Sequence, residues 1–136
     1  MERPHILLVE DEIHLARGIC FNLEQEECRV SHVESGEEAL ERLVYDRFAL
    51  IILDVMLPEM DGISMAARIK EFAPETIIIA LTAHSETDKL LRAIEININH
   101  YVLKPLDFEQ LCAVTDKSIA TVRKEQLLRE QNKQIR

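Results

Sequence analysis

Tryptophan is absent from this chain and aromatic residues make up only 4% of it, so a core has to be assembled mainly from Ile, Leu, Val and Ala. The three glycines, Gly18, Gly36 and Gly62, lie far apart, which excludes a glycine-rich loop wrapped around a phosphate. The three cysteines, Cys20, Cys28 and Cys112, are odd in number and have no CxxC spacing; reduced structural thiols in a cytoplasm are expected. Long apolar runs are also missing. No stretch approaches the roughly 18 residues that would suggest a membrane span, and Glu10, Asp11 and Glu12 end the first apolar run before it could serve as a signal-peptide core. Basic residues are the minority: 16 Lys and Arg stand against 25 Asp and Glu, a net charge of −9. That balance argues against direct nucleic-acid binding by this segment, because phosphate contacts need clustered cations. The histidines, His5, His14, His32, His84 and His100, lack metal-ligand spacing and read as surface residues. No Ser/His/Asp pattern suggests a hydrolytic triad.

What remains is a chain of 136 residues, 47% hydrophobic and 30% charged, the profile of one soluble globular domain. Short apolar runs at 6–9, 49–53, 77–81 and 101–103 alternate with longer amphipathic segments. The middle two are rich in branched aliphatics, as expected of strands covered on both faces. A weaker run, 28–33, suits an edge strand. Helices are expected at about 12–26, from Ser35 onward, at about 62–72, at about 86–96 and from Asp107 onward. Ser35 with Glu38 forms a capping-box signature ahead of the stripe Ala39, Leu40, Leu43 and Val44. Asp107 is a plausible N-cap, and Pro74 closes the third helix. The βα unit repeated five times predicts a parallel sheet with helices on both faces. Residues 124–136 are polar, helix-forming and free of Gly and Pro. They read as a continuation of the last helix into a linker or dimerising stalk, outside a compact unit of residues 1–123.

In an open parallel sheet, ligands bind beyond the carboxyl ends of the strands. The residues that follow the apolar runs are Glu10, Asp11 and Glu12, then Asp54, then Thr82, then Lys104 with Pro105. Carboxylates crowded together raise one another's pKa, and a divalent cation removes that conflict. Magnesium prefers oxygen ligands and keeps several waters, so a shallow acidic cleft that also receives phosphate oxygens suits it. Asp54 could then act as a nucleophile on a phosphoryl group. Lys104 would supply a point charge and the Thr82 hydroxyl a donor to the phosphoryl oxygens. Glu12 reads simply as an acidic residue at a helix start.

These positions resemble the receiver domain of bacterial two-component response regulators. The likeness covers about residues 4–122 and rests on four segments in order: Leu7-Leu8-Val9-Glu10-Asp11-Glu12, Asp54-Val55-Met56-Leu57-Pro58-Glu59-Met60-Asp61-Gly62, Leu81-Thr82-Ala83, and Tyr101-Val102-Leu103-Lys104-Pro105. It implies a flavodoxin-like (βα)5 doubly wound α/β fold of strand order 2-1-3-4-5. It also implies that Asp54 is the phosphoacceptor, served by a sensor histidine kinase or phosphotransfer protein. Asp11, Asp54 and the Met56 carbonyl would hold Mg2+, with Glu10 assisting through water. Thr82 and Lys104 would bind the phosphoryl group, Tyr101 would turn inward as Thr82 moves, and the Lys104–Pro105 bond would be cis. The chain departs from the family in having Asn97-Ile98 where Gly-Ala is common, and in His84 close to Thr82.

The resemblance implies a signalling domain that assists its own phosphorylation and dephosphorylation rather than an enzyme with a separate substrate. Its switching face would be helix four, strand five and helix five, and a homodimer through that face or through the C-terminal helix is a possible assembly. Three alternatives compete. A haloacid dehalogenase-type phosphatase would need a second acid where Met56 stands. A flavin carrier of the same fold would need a hydroxyl-rich loop in place of Glu10-Asp11-Glu12. A degenerate, binding-only receiver would not need the complete set of acids, Thr82 and Lys104.

Overall fold

The computed structural model describes residues 3–56, 62–83 and 98–135. Five strands, β1 (His5–Val9), β2 (Arg29–Val33), β3 (Leu50–Asp54), β4 (Ile77–Thr82) and β5 (His100–Leu103), form one sheet of order β2-β1-β3-β4-β5. Every pairing is parallel. Helices α1 (Ile13–Gln25), α2 (Gly36–Tyr45) and α3 (Gly62–Phe72), and a C-terminal helix Phe108–Ile135, complete the described elements. The expected helix at 86–96, together with His84, Asn97 and the segment 57–61, lies outside the described residues.

The alternation of side chains along each strand divides the interior into two layers. Leu7, Val9, Ile51 and Leu53 face one side and pack with Ala39 of α2 and Ile63, Met65 and Ile69 of α3. Ile6, Leu8, Leu50 and Ile52 face the other and pack with Ala16, Ile19 and Leu23 of α1 and Leu111 of the C-terminal helix. This explains why β3 and β4 read as uninterrupted apolar runs: every residue of both strands is buried. The mixed composition of β2 matches its position at the sheet edge.

Local signals set the helix boundaries. Glu12 caps α1, its carboxylate accepting from the His14 and Leu15 amides at 3.1 and 2.6 Å. Ser35 Oγ accepts from the Glu38 amide at 3.2 Å, and Asp107 accepts from the Glu109 amide at 3.0 Å. Helix α1 ends in a Schellman turn, with the Cys28 amide donating to the Leu23 carbonyl at 3.1 Å. Glu27 supplies its left-handed residue, at φ 62°.

Three expectations need adjustment. Asp54 and Thr82 are the last residues of β3 and β4, not the first residues beyond them. Val44 does not belong to the buried stripe of α2; it is 67% exposed, because the helix turns it past the layer that receives Ala39 and Leu40. His5, His32 and His100 are not surface residues but half-buried, and His5 and His32 are held by hydrogen bonds. The Lys104–Pro105 peptide bond is cis, as expected. The C-terminal helix does run on without a break, to Ile135. No described helix is long and apolar enough to cross a membrane.

Candidate functional site

Strand order reverses between β1 and β3, the topological switch point where a doubly wound sheet opens a crevice. Glu10 and Asp11 follow β1 there, and Asp54 ends β3 beside them. One carboxylate oxygen from each of these three acids lies within 4.8 Å of the others. Lys104, just beyond β5, reaches across. Its Nζ donates to Asp54 Oδ2 at 2.8 Å and stands 3.8 Å from Glu10 Oε1. Thr82 ends β4 nearby and is buried. The structure therefore gathers Glu10, Asp11, Asp54, Thr82 and Lys104 along one edge of the sheet.

Backbone contacts hold this edge in place. The Met56 amide donates to Asp54 Oδ1 at 2.9 Å, so the turn after β3 orients the carboxylate. The Val55 amide donates to the Leu81 carbonyl at 3.1 Å, and the Lys104 amide to the Thr82 carbonyl at 2.7 Å. These tie the ends of β3, β4 and β5 together. Glu10 is pinned from two sides: its amide donates to the Val33 carbonyl at 3.1 Å, and its carbonyl accepts from His32 Nε2 at 2.7 Å. A carbonyl only accepts, so His32 carries its proton on Nε2. His32 is the member of this site that the sequence did not announce. It sits on β2 opposite Leu8, in a strand whose polar composition gave it no distinction from its neighbours.

The charge balance at the site is unfavourable without a second cation. Glu10 is fully buried, yet its Oε1 has no hydrogen-bond partner. Burial pushes its pKa up, the adjacent Asp54 carboxylate pushes it further, and the Glu12 amide and Lys104 only partly oppose this, leaving it at about 8. An orphaned buried carboxylate oxygen beside two further acids is a donor set that fits a hard divalent cation. Exposed Asp11 keeps one side of the cluster open to water. Tyr101 lies against the core layer of Ile98 and Ala80, half-buried, with its hydroxyl buried and lacking a hydrogen-bond partner.

The fold and the edge cluster define the class: a doubly wound α/β domain with an acidic, lysine-bridged crevice at its switch point. Residues 6–116 match the family model of the response regulator receiver domain. The chain belongs to that family. It is 36% identical over 113 residues to the uncharacterized transcriptional regulatory protein YkoG of Bacillus subtilis, covering 83% of this chain and 50% of the relative. It is 38% identical over 100 residues to the transcriptional regulatory protein SrrA of Staphylococcus aureus, covering 74% and 41%. The chain thus spans about half the length of these relatives or less. Among solved structures, it resembles the receiver domain of an HD domain-containing protein from Pseudomonas fluorescens at TM-score 0.86 and 28% identity, with 93% of each chain covered. It also resembles the receiver domain of a signal transduction histidine kinase from Syntrophus aciditrophicus at TM-score 0.82 and 30% identity, covering 88% and 92%.

Proposed function

We propose that Asp54 accepts a phosphoryl group from the phosphohistidine of a partner kinase or phosphotransfer protein, and that this receiver domain works in the cytoplasm as a phosphorylation switch. The observation that carries this reading is the placement of Lys104 Nζ 2.8 Å from Asp54 Oδ2, inside the cluster of Glu10, Asp11 and Asp54. An Asp54 oxygen attacks phosphorus while the phosphorus–nitrogen bond of the donor breaks, and the electron pair leaves with the imidazole. Lys104 stabilises charge on the transferring oxygens, as a fixed ammonium does in phosphoryl transfer generally. The Thr82 hydroxyl, whose present contact with the Ala83 carbonyl is long at 3.4 Å, is available as a second donor.

Glu10, Asp11, Asp54 and the Met56 carbonyl would hold Mg2+, with Glu10 acting through water. When bound, the ion neutralises the crowded carboxylates and lowers the repulsion between Asp54 and an incoming phosphate. Asp54 is oriented for attack by the Met56 amide, and the Glu10 backbone is held by His32 and Val33 so that its carboxylate stays in the cluster.

Phosphorylation converts a monoanion into a group approaching a dianion, which draws Thr82 and Lys104 toward it. Tyr101 follows because its buried, unpartnered hydroxyl leaves its present position poorly compensated. The face that includes β5 and the C-terminal helix then changes, and a homodimer or partner is selected there. Residues 124–136 would carry that change to a further segment. The relatives named as transcriptional regulators support an output on gene expression, with any DNA contact made outside this acidic segment. Acetyl phosphate with magnesium should label the wild-type chain and leave Asp54→Ala unlabelled. Failure to label the wild type would favour a binding-only receiver. Beryllofluoride with magnesium should shift the backbone resonances of residues 82–105; unchanged resonances would defeat the switching part of the proposal.

A further inference from the structure

The opposite end of the sheet carries a second charged site, of the other sign. A cavity of about 820 Å³ opens beside the first residues of β1 and β2, and Arg3, Arg29, Arg47 and Arg123 all line it. Among the described residues no carboxylate lines it, although acids outnumber bases 25 to 16 in the chain. The two sites are separated by the length of the five-residue strand β1, roughly 15 Å.

The four arginines reach the cavity from different parts of the chain: the N-terminal segment, the start of β2, the loop before β3 and the C-terminal helix. Like charges brought together this way repel, and surface arginines usually relieve the repulsion with neighbouring acids. Here, among the described residues, the side chains of Arg3, Arg47 and Arg123 make no ion pair or hydrogen bond, although Glu26, Glu27 and Asp116 share an adjoining cavity with Arg3 and Arg123, and Asp46 and Glu75 share another with Arg47. Arg29 is held in place by a neutral acceptor instead. Its Nη2 donates to His5 Nδ1 at 2.8 Å, and His5 Nε2 in turn meets Ser31 Oγ at 2.6 Å. A guanidinium only donates, so His5 Nδ1 must be unprotonated and Nε2 must carry the hydrogen. The result is a guanidinium with one edge anchored and, among the described residues, no ion pair with an acid.

The cavity is not uniformly polar. Phe48, whose ring lies 4.5 Å from that of His5, and Ile119 and Val122 of the C-terminal helix form apolar wall. Arginine recognises phosphate oxygens in pairs, and an apolar wall with an aromatic edge suits a flat or hydrophobic body attached to them. The volume is within the range of small-molecule sites. It is a concavity on a domain of net charge −9, which disfavours a nucleic-acid duplex, whose backbone needs an extended basic surface. We infer that this cavity binds a small phosphorylated ligand of the nucleotide class, held by Arg29, Arg47 and Arg123 and packed against Phe48.

Such a ligand would join the starts of β1 and β2 to the C-terminal helix at residues 119–126. It would therefore act on the element that leaves the domain, independently of the acidic crevice. The test is isothermal titration of the full chain with ADP, GDP and inorganic pyrophosphate in EDTA, where the acidic cluster repels phosphate. Saturable binding of a nucleotide is expected, with backbone shifts at His5, Arg29 and Arg123. Binding should fall about tenfold or more in the double variant Arg47→Ala/Arg123→Ala, whose two positions are exposed and whose fold is checked by thermal unfolding. Three results would overturn the inference: no binding at millimolar nucleotide, undiminished binding by the double variant, or pyrophosphate binding as tightly as either nucleotide. A 20-base-pair duplex bound more tightly than the nucleotides would also overturn it, in favour of a nucleic-acid surface.

Discussion

Replacing Glu10 by glutamine should stabilise the metal-free protein, and the size of the gain follows from the crevice itself. Glu10 is fully buried and its pKa is raised from 4.5 to about 8, by burial first and by Asp54 second. A raised carboxyl pKa means that the folded state holds a proton which the unfolded chain releases above pH 4.5. Stability then falls as pH rises through that window, by up to about 1.4 kcal/mol per unit, and levels off above about pH 8. At pH 7 the accumulated cost is about 3 kcal/mol, taken as an upper figure. Glutamine has no such titration, keeps the shape, and carries an amide N–H that can donate to the adjacent Asp54 carboxylate. Urea unfolding in EDTA, repeated at intervals between about pH 5.5 and 8, measures both stabilities. The difference between variant and wild type should grow with pH in favour of the variant, since the other titrating groups are common to both. Magnesium should reduce the difference, because the ionised carboxylate is then compensated. A flat difference across the range, or a variant less stable than wild type at the alkaline end in EDTA, would refute the assignment of strain to Glu10.

Lys104→Met should destabilise the metal-free fold by about 1–3 kcal/mol at alkaline pH, because it leaves Asp54 and Glu10 without their only close ammonium among the described residues; the cost should shrink in the Glu10→Gln background, as a double-mutant cycle by urea unfolding would show. Glu27→Gly should raise stability by about 0.5–1 kcal/mol, since Glu27 occupies the left-handed region at φ 62° at the end of α1; a lowered midpoint would contradict the strain. Gly18→Ala should lower the thermal midpoint despite the roughly 1 kcal/mol better helix propensity of alanine, because its Cβ would come within 3.0 Å of the Phe108 ring.

Much of the candidate site was legible in the sequence because the fold is a repetition of one unit. When βα segments alternate, all parallel strands end at one edge, so the residues after each run can be collected without knowing any distance. Glu10, Asp11, Asp54, Thr82 and Lys104 were found in this way, and the structure brings them together. Capping residues were legible for a similar reason: Ser35 and Asp107 act within three residues of themselves, whereas Glu12 read only as an acid at a helix start and its capping of α1 emerges from the structure. Strand ends were legible only to within a residue, because apolar character fades before the ladder does, as at Asp54 and Thr82.

What could not be read depends on contacts between residues distant in the chain. His32 was indistinguishable from a solvated edge residue until strand pairing put it against the Glu10 carbonyl. Lys70 likewise reads as an ordinary helical lysine, yet its Nζ donates to the Thr76 carbonyl at 2.6 Å and to Asn99 Oδ1 at 3.0 Å, linking the end of α3 to the start of β5. The arginine cavity draws on residues from Arg3 to Arg123, and no local pattern connects them. By itself, the sequence determined the alternation of strands and helices, the two-sided burial of the central strands and the identity of the groups at the carboxyl edge, because these follow from periodicity and chain direction. Only the tertiary structure decided which of the acids is buried with an oxygen left without a hydrogen bond and which cations are ion-paired and which gather around one cavity unpaired, because burial and pairing are properties of surfaces that meet when the chain closes.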